Sequence, residues 1–485
     1  MRLTQAQANA VRELVRVSPV AVELGERFAR AGHALHLVGG SVRDALLGRL
    51  GDDLDLTTDA RPEQVLALVD GWAEATWDTG IAYGTVGLSK RGLKLEVTTY
   101  RAEAYEPGSR NPVVSYGTSL VDDLARRDLT VNALAVALPD WKAADAFVDP
   151  YGGLEDLAAE RLRTPGRAQD SFGDDPLRML RVARFVAQLG FGVDPAAVEA
   201  MTGMADRLEI ISKQRVRDEL SKLLLGDRPR LGLELLVETG LARHVLPELP
   251  ALRLEIDEHH QHKDVYEHTL QVLERAVRLE QDGPDLVLRL AALLHDIGKP
   301  RTRRHEPGGG VSFHHHEVVG AQLARKRLRT LTYGRDVVEA VGLLTELHLR
   351  FHGYGAPGSS GWTDSAVRRY VTDAGPQLER LHQLVRSDCT TRNRWRAKAL
   401  SAAYDDLEAR IARLREQEEL SRIRPDLSGE QVMALLGIGP SRTVGDALKH
   451  LLALRMEHGP LGEERAVVEL RAWAAEQGLA VPAEG

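Results

Sequence analysis

A single cysteine, Cys389, among 485 residues excludes an internal disulfide framework and any cysteine-rich zinc site. Long hydrophobic runs are missing too. No apolar stretch approaches the roughly 20 residues that a membrane-spanning helix needs, and the opening MRLTQAQANAVRELV lacks the apolar core of a secretory signal. These absences predict a cytoplasmic chain with no membrane partner. Nor is there an excess of positive charge. The net formal charge is −8, which argues against blanket affinity for nucleic acid but leaves room for a local basic groove. Internal repeats and low-complexity tracts are absent. What remains is an ordinary globular balance, 43% hydrophobic and 28% charged. At this length roughly three to four domains are expected, with no indication of oligomeric state.

The patterning divides the chain in two. Residues 4–31 show helical periodicity ending at Gly32. From His36 to about Val136 short apolar segments (HLVGG, DLDLTT, TVGLS, LKLEVTTY, NALAVAL) alternate with helical and turn segments. After Pro150 strand signals nearly vanish, and helices broken at GFGVDP, GDRP, LPELP, EPGGG, GYGAPGSSG and GIGP run to the end. The expected class is α+β: a mixed head followed by a long helical body.

Chemistry first shows in LVGGSVRD (37–44) and GDDLDL (51–56). Residues two apart on a strand point the same way, so Asp53 and Asp55 share a face while Leu54 and Leu56 turn inward. Hard Mg²⁺ ions take such oxygen ligands beside a triphosphate. The glycine pair lets a phosphate approach the backbone, and Arg43 can grip it. In LKLEVTTY (93–100), Leu93, Leu95 and Val97 are expected inside, with Lys94, Glu96 and Thr98 opposite. Glu96 is either a third carboxylate of the site or a solvated strand charge. Arg126, Arg127, Asp128 and Asn132 cluster in DDLARRDLTVNALA (122–135), where arginine suits triphosphate oxygens and Asn a ribose hydroxyl. A capped, solvated helix start reads equally from those residues. Two metals between carboxylates can activate a 3′-hydroxyl and stabilise a leaving pyrophosphate without a protein nucleophile, and none is evident.

GDDPLRMLRVARFVAQLG (173–190) adds selectivity. Pro176 suits a first helical turn and makes Asp175 a plausible N-cap. Arg178, Arg181 and Arg184 recur every three residues on one side. Asp175 and Arg178, one turn apart, offer an acceptor beside a donor. Cytosine and adenine present an amine donor next to a ring-nitrogen acceptor, whereas uracil and guanine present the reverse order. A fixed carboxylate–guanidinium pair therefore accepts C and A and leaves polar groups unpaired against U and G, at about 1–3 kcal/mol each. The alternative is an N-cap with a solvated arginine stripe.

LVGGSVRDALLG, DLDL, DLARRDLTVNALA, DPYGGLEDL, DDPLRMLRVARF and ISKQRVRDELSKLL together resemble the bacterial class II tRNA nucleotidyltransferases, the CCA-adding family related to bacterial poly(A) polymerases. The resemblance is strong over residues 33–225. It implies a polymerase-β-like head followed by neck, body and tail helices that hold tRNA, with CTP and ATP as substrates. By position it implies Mg²⁺ on Asp53 and Asp55, nucleotide contacts from Gly40, Arg43 and Arg127, a selecting pair Asp175 and Arg178, and Arg181 and Arg184 near the triphosphate. One departure is Gly173, where the family often carries an acid. Residues 100–120 resemble the family's flexible loop at full length; a shortened loop would suggest addition of CC only. The implied segments are an N-terminal helical segment (1–32), head (33–148), neck and body (149–258), a metal-binding domain (259–400) and a tail (401–485).

In the helical half, His295 and Asp296 supply two ligands from one turn, with His268 and Asp388 able to close a metal site. The set resembles an HD-type metal-dependent phosphohydrolase domain, in which His316 and His348 would complete a second position. Imidazole with carboxylate favours Ni, Mn, Fe or Co over Mg. His259, His260 and His262 read as loop or rim residues, and His314 and His315 as exposed neighbours. Such a centre could hydrolyse phosphomonoesters or 2′,3′-cyclic phosphates at RNA ends, or be a relic of its fold. KPRTRR (299–304), ARKRLR (324–329) and RNRWRAK (392–398) are local basic clusters. Trp395 in the last could stack on a nucleotide, although charged helix faces explain such runs as well.

The expectation is addition of C, C and A to tRNA 3′ ends. Alternatives are a poly(A) polymerase or A-adding enzyme, a phosphohydrolase as the main activity, and a non-catalytic RNA-binding protein.

Overall fold

The computed structural model describes residues 4–49, 51, 53–78, 80–81, 84–101, 116–143, 145–253, 264–307, 311–351, 354, 362–389, 393–418 and 424–479. The chain forms two compact units, Met1–Pro247 and Glu248–Gly485. The helical stretch expected over 4–31 is two helices, Gln5–Val17 and Pro19–Arg30. Pro19 lacks an N–H and so begins a new helix rather than continuing the old one.

A seven-stranded sheet organises the first unit. Its strands are β1 Leu35–Val38, β2 Asp53–Thr58, β3 Ala75–Trp77, β4 Thr85–Lys90, β5 Leu93–Thr99, β6 Ala135–Leu138 and β7 Phe147–Val148, in the order β3-β4-β5-β2-β1-β6-β7. Within this sheet, among the described residues, only β2 and β5 pair in parallel. β3 and β7 were not legible, being two or three residues long at the sheet edges, too short to show alternation. The central strands bury Leu37, Val38, Leu54, Leu56, Val86, Leu88, Leu95 and Val97, worth about 1.5–3 kcal/mol per fully buried aliphatic side chain. Helix Pro19–Arg30 buries Val20, Ala21, Leu24 and Phe28. The opposite face of β2 and β5 stays open, and there the polar residues collect.

Helices Ala168–Asp174, Leu177–Leu189, Lys213–Leu224 and Pro229–Glu238 are among those that follow the sheet in this unit. Among the described residues the second unit's only strands are a small hairpin, Arg304–His305 with Val311–Ser312, and the rest is helices and their connections. Helices Val265–Leu279, Leu286–Leu294, His316–Thr330, Arg335–Leu347 and Leu378–Asp388 build its first part. Three further helices, from Gly429 to Glu476, share a core of Val432, Leu436, Leu451, Leu470 and neighbours. Among the described residues no helix is long and apolar enough to cross a membrane.

Candidate active site and metal centre

Strand β2 alternates as its sequence requires, with Leu54 and Leu56 buried and Asp53 and Asp55 outward. The parallel register sets Asp53 opposite Lys94 and Asp55 opposite Glu96. Glu96 therefore stands beside the carboxylate pair, while Leu93, expected inside, is only half-buried. Loss of water raises the Asp55 pKa, Arg127 opposes that rise, and Asp53 adds to it. Glu96 is raised by loss of water, then by Asp55 and Asp53. Asp55 and Glu96, both raised and both beside Asp53, make a carboxylate cluster that a divalent cation would relieve.

β1 leads straight into the site. Gly39 has φ +69°, and a Cβ there would lie 2.9 Å from Arg127 Nη1 and 3.5 Å from Asp55 Oδ2, so only glycine lets the turn pass this closely. The Ser41 hydroxyl donates to the Asp53 carbonyl at 3.2 Å and accepts the Asp55 N–H at 3.0 Å, clipping the turn to β2. Arg43, almost fully buried, donates to Asp44 at 2.8 Å and to Asn132 Oδ1. Asn132 Nδ2 donates to Asp128 Oδ1 at 2.9 Å. Asn132 thus bridges Arg43 and Asp128.

The neck supplies the remaining arginines. Arg181 donates to Asp128 Oδ2 at 2.7 Å and lies 3.7 Å from Glu219. Arg184 pairs with Glu219 at 3.0 Å. Burial opposes the charge on Asp128, but Arg181 and Asn132 overcome it and hold its carboxyl well below the usual range. Arg184 is pushed down to about 10, first by burial and then by Arg181. A solvated stripe is therefore excluded for Arg184, which is 7% exposed. The Asp175 carboxylate accepts Leu177 N–H at 3.1 Å, but the N-cap position expected for it is held by Pro176, and Asp175 instead ends the preceding helix Ala168–Asp174.

Gly40, Arg43, Arg127, Asp175, Arg178, Arg181 and Arg184 line one cleft of about 500 Å³ together with Asp55. Asp53 is not part of that wall. A smaller cavity of about 300 Å³ shares Arg126, Arg127, Asp175 and Arg178 and reaches Thr98 and Arg101. The expected loop lies mostly outside the described residues.

A second centre forms in the other unit. Asp296 is its hub. Asp296 Oδ2 is 3.2 Å from His295 Nε2, 3.5 Å from His268 Nε2 and 2.9 Å from Lys299 Nζ. Its other oxygen is 3.3 Å from His316 Nε2 and 3.9 Å from His348 Nε2. Asp388 Oδ1 closes on His268 at 3.0 Å and on His295 at 3.7 Å. His295, His316 and His348 each direct Nδ1 at a carbonyl three residues earlier, Ala292, Phe313 and Thr345, at 2.6–2.8 Å. This leaves every Nε2 facing inward, the tautomer a metal needs. His316 Nε2 is buried without a hydrogen bond. Two triads, His268–His295–Asp296 and Asp296–His316–His348, hold their ligand atoms within 4.8 Å of one another. The set fits a pair of metal positions sharing Asp296. Burial lowers the His295 pKa, but Asp296 and Asp388 raise it to about 9. Burial and His295 drive His348 to about 3. His314 and His315 are exposed, and His259, His260 and His262 lie outside the described residues.

Comparison with known proteins finds matches along most of the chain. Residues 35–163 match the poly A polymerase head domain, 190–252 the probable RNA and SrmB-binding site of polymerase A, and 265–414 the HD domain. An A-adding tRNA nucleotidyltransferase of Deinococcus radiodurans is 35% identical over 91% of this chain and 95% of its own length. The chain belongs to the tRNA nucleotidyltransferase family. A CCA-adding enzyme of Anoxybacillus flavithermus is 39% identical over 49% of this chain and 57% of its own. The Bacillus stearothermophilus CCA-adding enzyme in complex with CTP is 26% identical, with a TM-score of 0.65 over 95% of this chain and 98% of that one. The nucleotidyltransferase class and the α+β architecture expected from the sequence stand. So does the presence of candidate divalent-metal sites, through the matched families and the ligand triads.

Sequence reasoning missed several supports of these nucleotidyltransferase features. Glu219 sits among Val216, Leu220 and Leu223 on the buried face of Lys213–Leu224, and an acid on an apolar stripe was the available signal. Lys299 follows Asp296 by one turn. The basic run 324–329 is largely spent on ion pairs, Arg325 and Arg329 with Glu339 and Arg327 with Glu248, as a charged helix face would be. Trp395 is 84% exposed. Phe185 gave no signal at all. Its ring centroid lies 4.3, 4.9 and 5.8 Å from the guanidinium carbons of Arg184, Arg43 and Arg181. Desolvated cation–π contacts are worth about 2 kcal/mol, so this ring offsets the mutual repulsion of three neighbouring cations. Phe185→Leu is therefore expected to raise the KM for CTP by about three- to tenfold with little change in kcat, and Phe185→Tyr to restore it. Steady-state kinetics check this, and equal KM values for both variants would refute it.

Proposed function

We propose that this chain adds C, C and A to tRNA 3′ ends from CTP and ATP, choosing each nucleotide with protein side chains. The supporting observation is the single cleft that holds Asp175 and Arg178 with the clustered arginines and Asp55. Arg43, Arg127, Arg181 and Arg184, with the backbone at Gly40, receive the triphosphate. Asp175 accepts from the exocyclic amine of cytosine or adenine, and Arg178 donates to the adjacent ring nitrogen. Asp53 and Asp55 hold Mg²⁺, with Glu96 at their side, and Mg²⁺ there supplies activation of the 3′-hydroxyl and charge stabilisation on the departing pyrophosphate. Asp128 and Glu219 keep Arg181 and Arg184 in place throughout. The five segments, with limits near 32, 148, 258 and 400, are part of this proposal.

A second reading is favoured by one observation. The A-adding relative is 35% identical over 95% of its length. Incubation with tRNA ending at the discriminator base, supplied with CTP and ATP separately and then together, decides. Incorporation of CMP twice, followed by AMP, is expected. Refusal of CTP with acceptance of ATP on tRNA ending in CC would replace the proposal with A addition, and untemplated runs of A with poly(A) synthesis.

The HD centre is proposed as a second activity. His268, His295, Asp296 and Asp388 would hold one transition metal (Ni, Mn, Fe or Co), and Asp296, His316 and His348 another. Soft imidazole in the ligand set favours these ions over Mg²⁺. Metals held there would supply activation of water for hydrolysis of phosphate esters at RNA ends, and Lys299 would meet the phosphate charge.

A further inference from the structure

The selecting pair does not position itself. Asp175 and Arg178 are each held by residues outside the pair. Asp175 Oδ1 accepts Leu177 N–H at 3.1 Å, and Oδ2 accepts Arg215 Nη2 at 2.8 Å. Arg178 Nη1 donates to the Ser171 hydroxyl at 3.0 Å and its carbonyl at 3.3 Å, and Nη2 to the Arg126 carbonyl at 2.6 Å. Arg215 is itself fixed at its root. It stands in the first turn of Lys213–Leu224, where the Ser212 side chain accepts its N–H. One turn further along the same helix, Glu219 holds Arg184. A single helix therefore braces the nucleotide cleft at two points.

We propose that Arg215 is a positioning residue that locks the Asp175 carboxylate and thereby sets discrimination of C and A against U and G. This rests on the reading of Asp175 and Arg178 as the base-selecting pair. A carboxylate has about four lone-pair positions, so two protein contacts leave acceptor capacity for an exocyclic amine. With both oxygens tied, the carboxylate cannot turn away from a base that presents a carbonyl instead. Uracil or guanine then leaves two acceptors facing one another unpaired, and that penalty is the source of selectivity. Without Arg215 the side chain can swing aside and admit a water between the mismatched groups, which removes most of the penalty. Arg215 is half-exposed at its side chain, so its removal opens no core cavity.

The test uses the full chain, tRNA lacking its terminal CCA, and single-turnover rates with CTP and with UTP for the parent, Arg215→Ala, Arg215→Lys and Asp175→Ala. Arg215→Ala is expected to lower the CTP-to-UTP ratio of kcat/KM at least about fivefold. Arg215→Lys, which keeps one charged donor, should recover part of it. A merely structural role would slow both nucleotides alike and leave the ratio where it was. An unchanged ratio in Arg215→Ala beside a lowered ratio in Asp175→Ala would overturn the proposal and spare the selecting pair. An unchanged ratio in Asp175→Ala would overturn the selecting pair, and the anchor with it.

Discussion

Asp55→Asn is expected to abolish nucleotide addition, by at least about 10³-fold in the single-turnover rate, while CTP still binds. A metal-held charge contributes several kcal/mol to phosphoryl-type transition states, and each 1.4 kcal/mol is a factor of ten. Asn keeps the shape of the side chain, and the Asp55 N–H to Ser41 hydroxyl bond does not involve it. The loss therefore belongs to the charge and not to the turn. Asp53→Asn should behave alike and Glu96→Gln more mildly, since Glu96 flanks the pair from β5. Stability should move the other way. Burial and neighbouring Asp53 raise the Asp55 pKa in the folded chain, so ionised Asp55 is destabilising without metal. Metal-free Asp55→Asn should melt above the parent at neutral pH. That difference should shrink as the pH falls through the raised Asp55 value, because the parent then carries a neutral acid as well. Labelled CMP incorporation, equilibrium CTP binding and thermal melts across pH measure all three. Addition within tenfold of the parent would remove Asp55 from the reaction.

The two carboxylates were readable because a strand's two-residue period is rigid and Leu54 and Leu56 fix which face is buried. Asp175 and its helix were readable for a similar reason, since Pro176 marks the turn and the arginines follow at a constant interval. The partners of these residues were not readable. Asn132 carries its signal only through Arg43 and Asp128, which lie 89 and 4 residues away in sequence. Glu219 meets Arg184 across 35 residues, and Arg215 meets Asp175 across 40. No local pattern encodes the last two pairs, because their distances are set by how helix Lys213–Leu224 packs near Leu177–Leu189 and the turn before it. Phe185 shows the limit most clearly. In sequence it is one more apolar residue on a helix, and only three converging guanidiniums give it a further role. The histidines fared better, because HD at 295–296 offers two ligands at once and the resemblance to HD-type domains pointed to the others. Lys299 was overlooked although it follows within one turn.

Asp296→Asn is expected to empty the HD centre of both metals. Asp296 alone faces both triads, with one oxygen toward His268 and His295 and the other toward His316 and His348, so it is the ligand the two positions share. His348→Ala removes a ligand from the second position only and should cost one ion. After loading with Ni²⁺ or Mn²⁺ and desalting, elemental analysis should give about two ions per chain for the parent, one for His348→Ala and none for Asp296→Asn. Folding has to be weighed as well. Breaking a buried ion pair costs about 3–5 kcal/mol when one charge is left alone, and Lys299 Nζ lies 2.9 Å from Asp296. Asp296→Asn should therefore also lower the melting temperature of the metal-free chain. His348→Ala should lower it less. His348 is neutral in its buried site, its pKa driven to about 3 first by burial, and its loss strands no charge. CMP addition should persist in both variants, because every ligand named belongs to Glu248–Gly485 whereas Asp53 and Asp55 belong to Met1–Pro247. Full metal content in folded Asp296→Asn would show that the two triads do not form one centre.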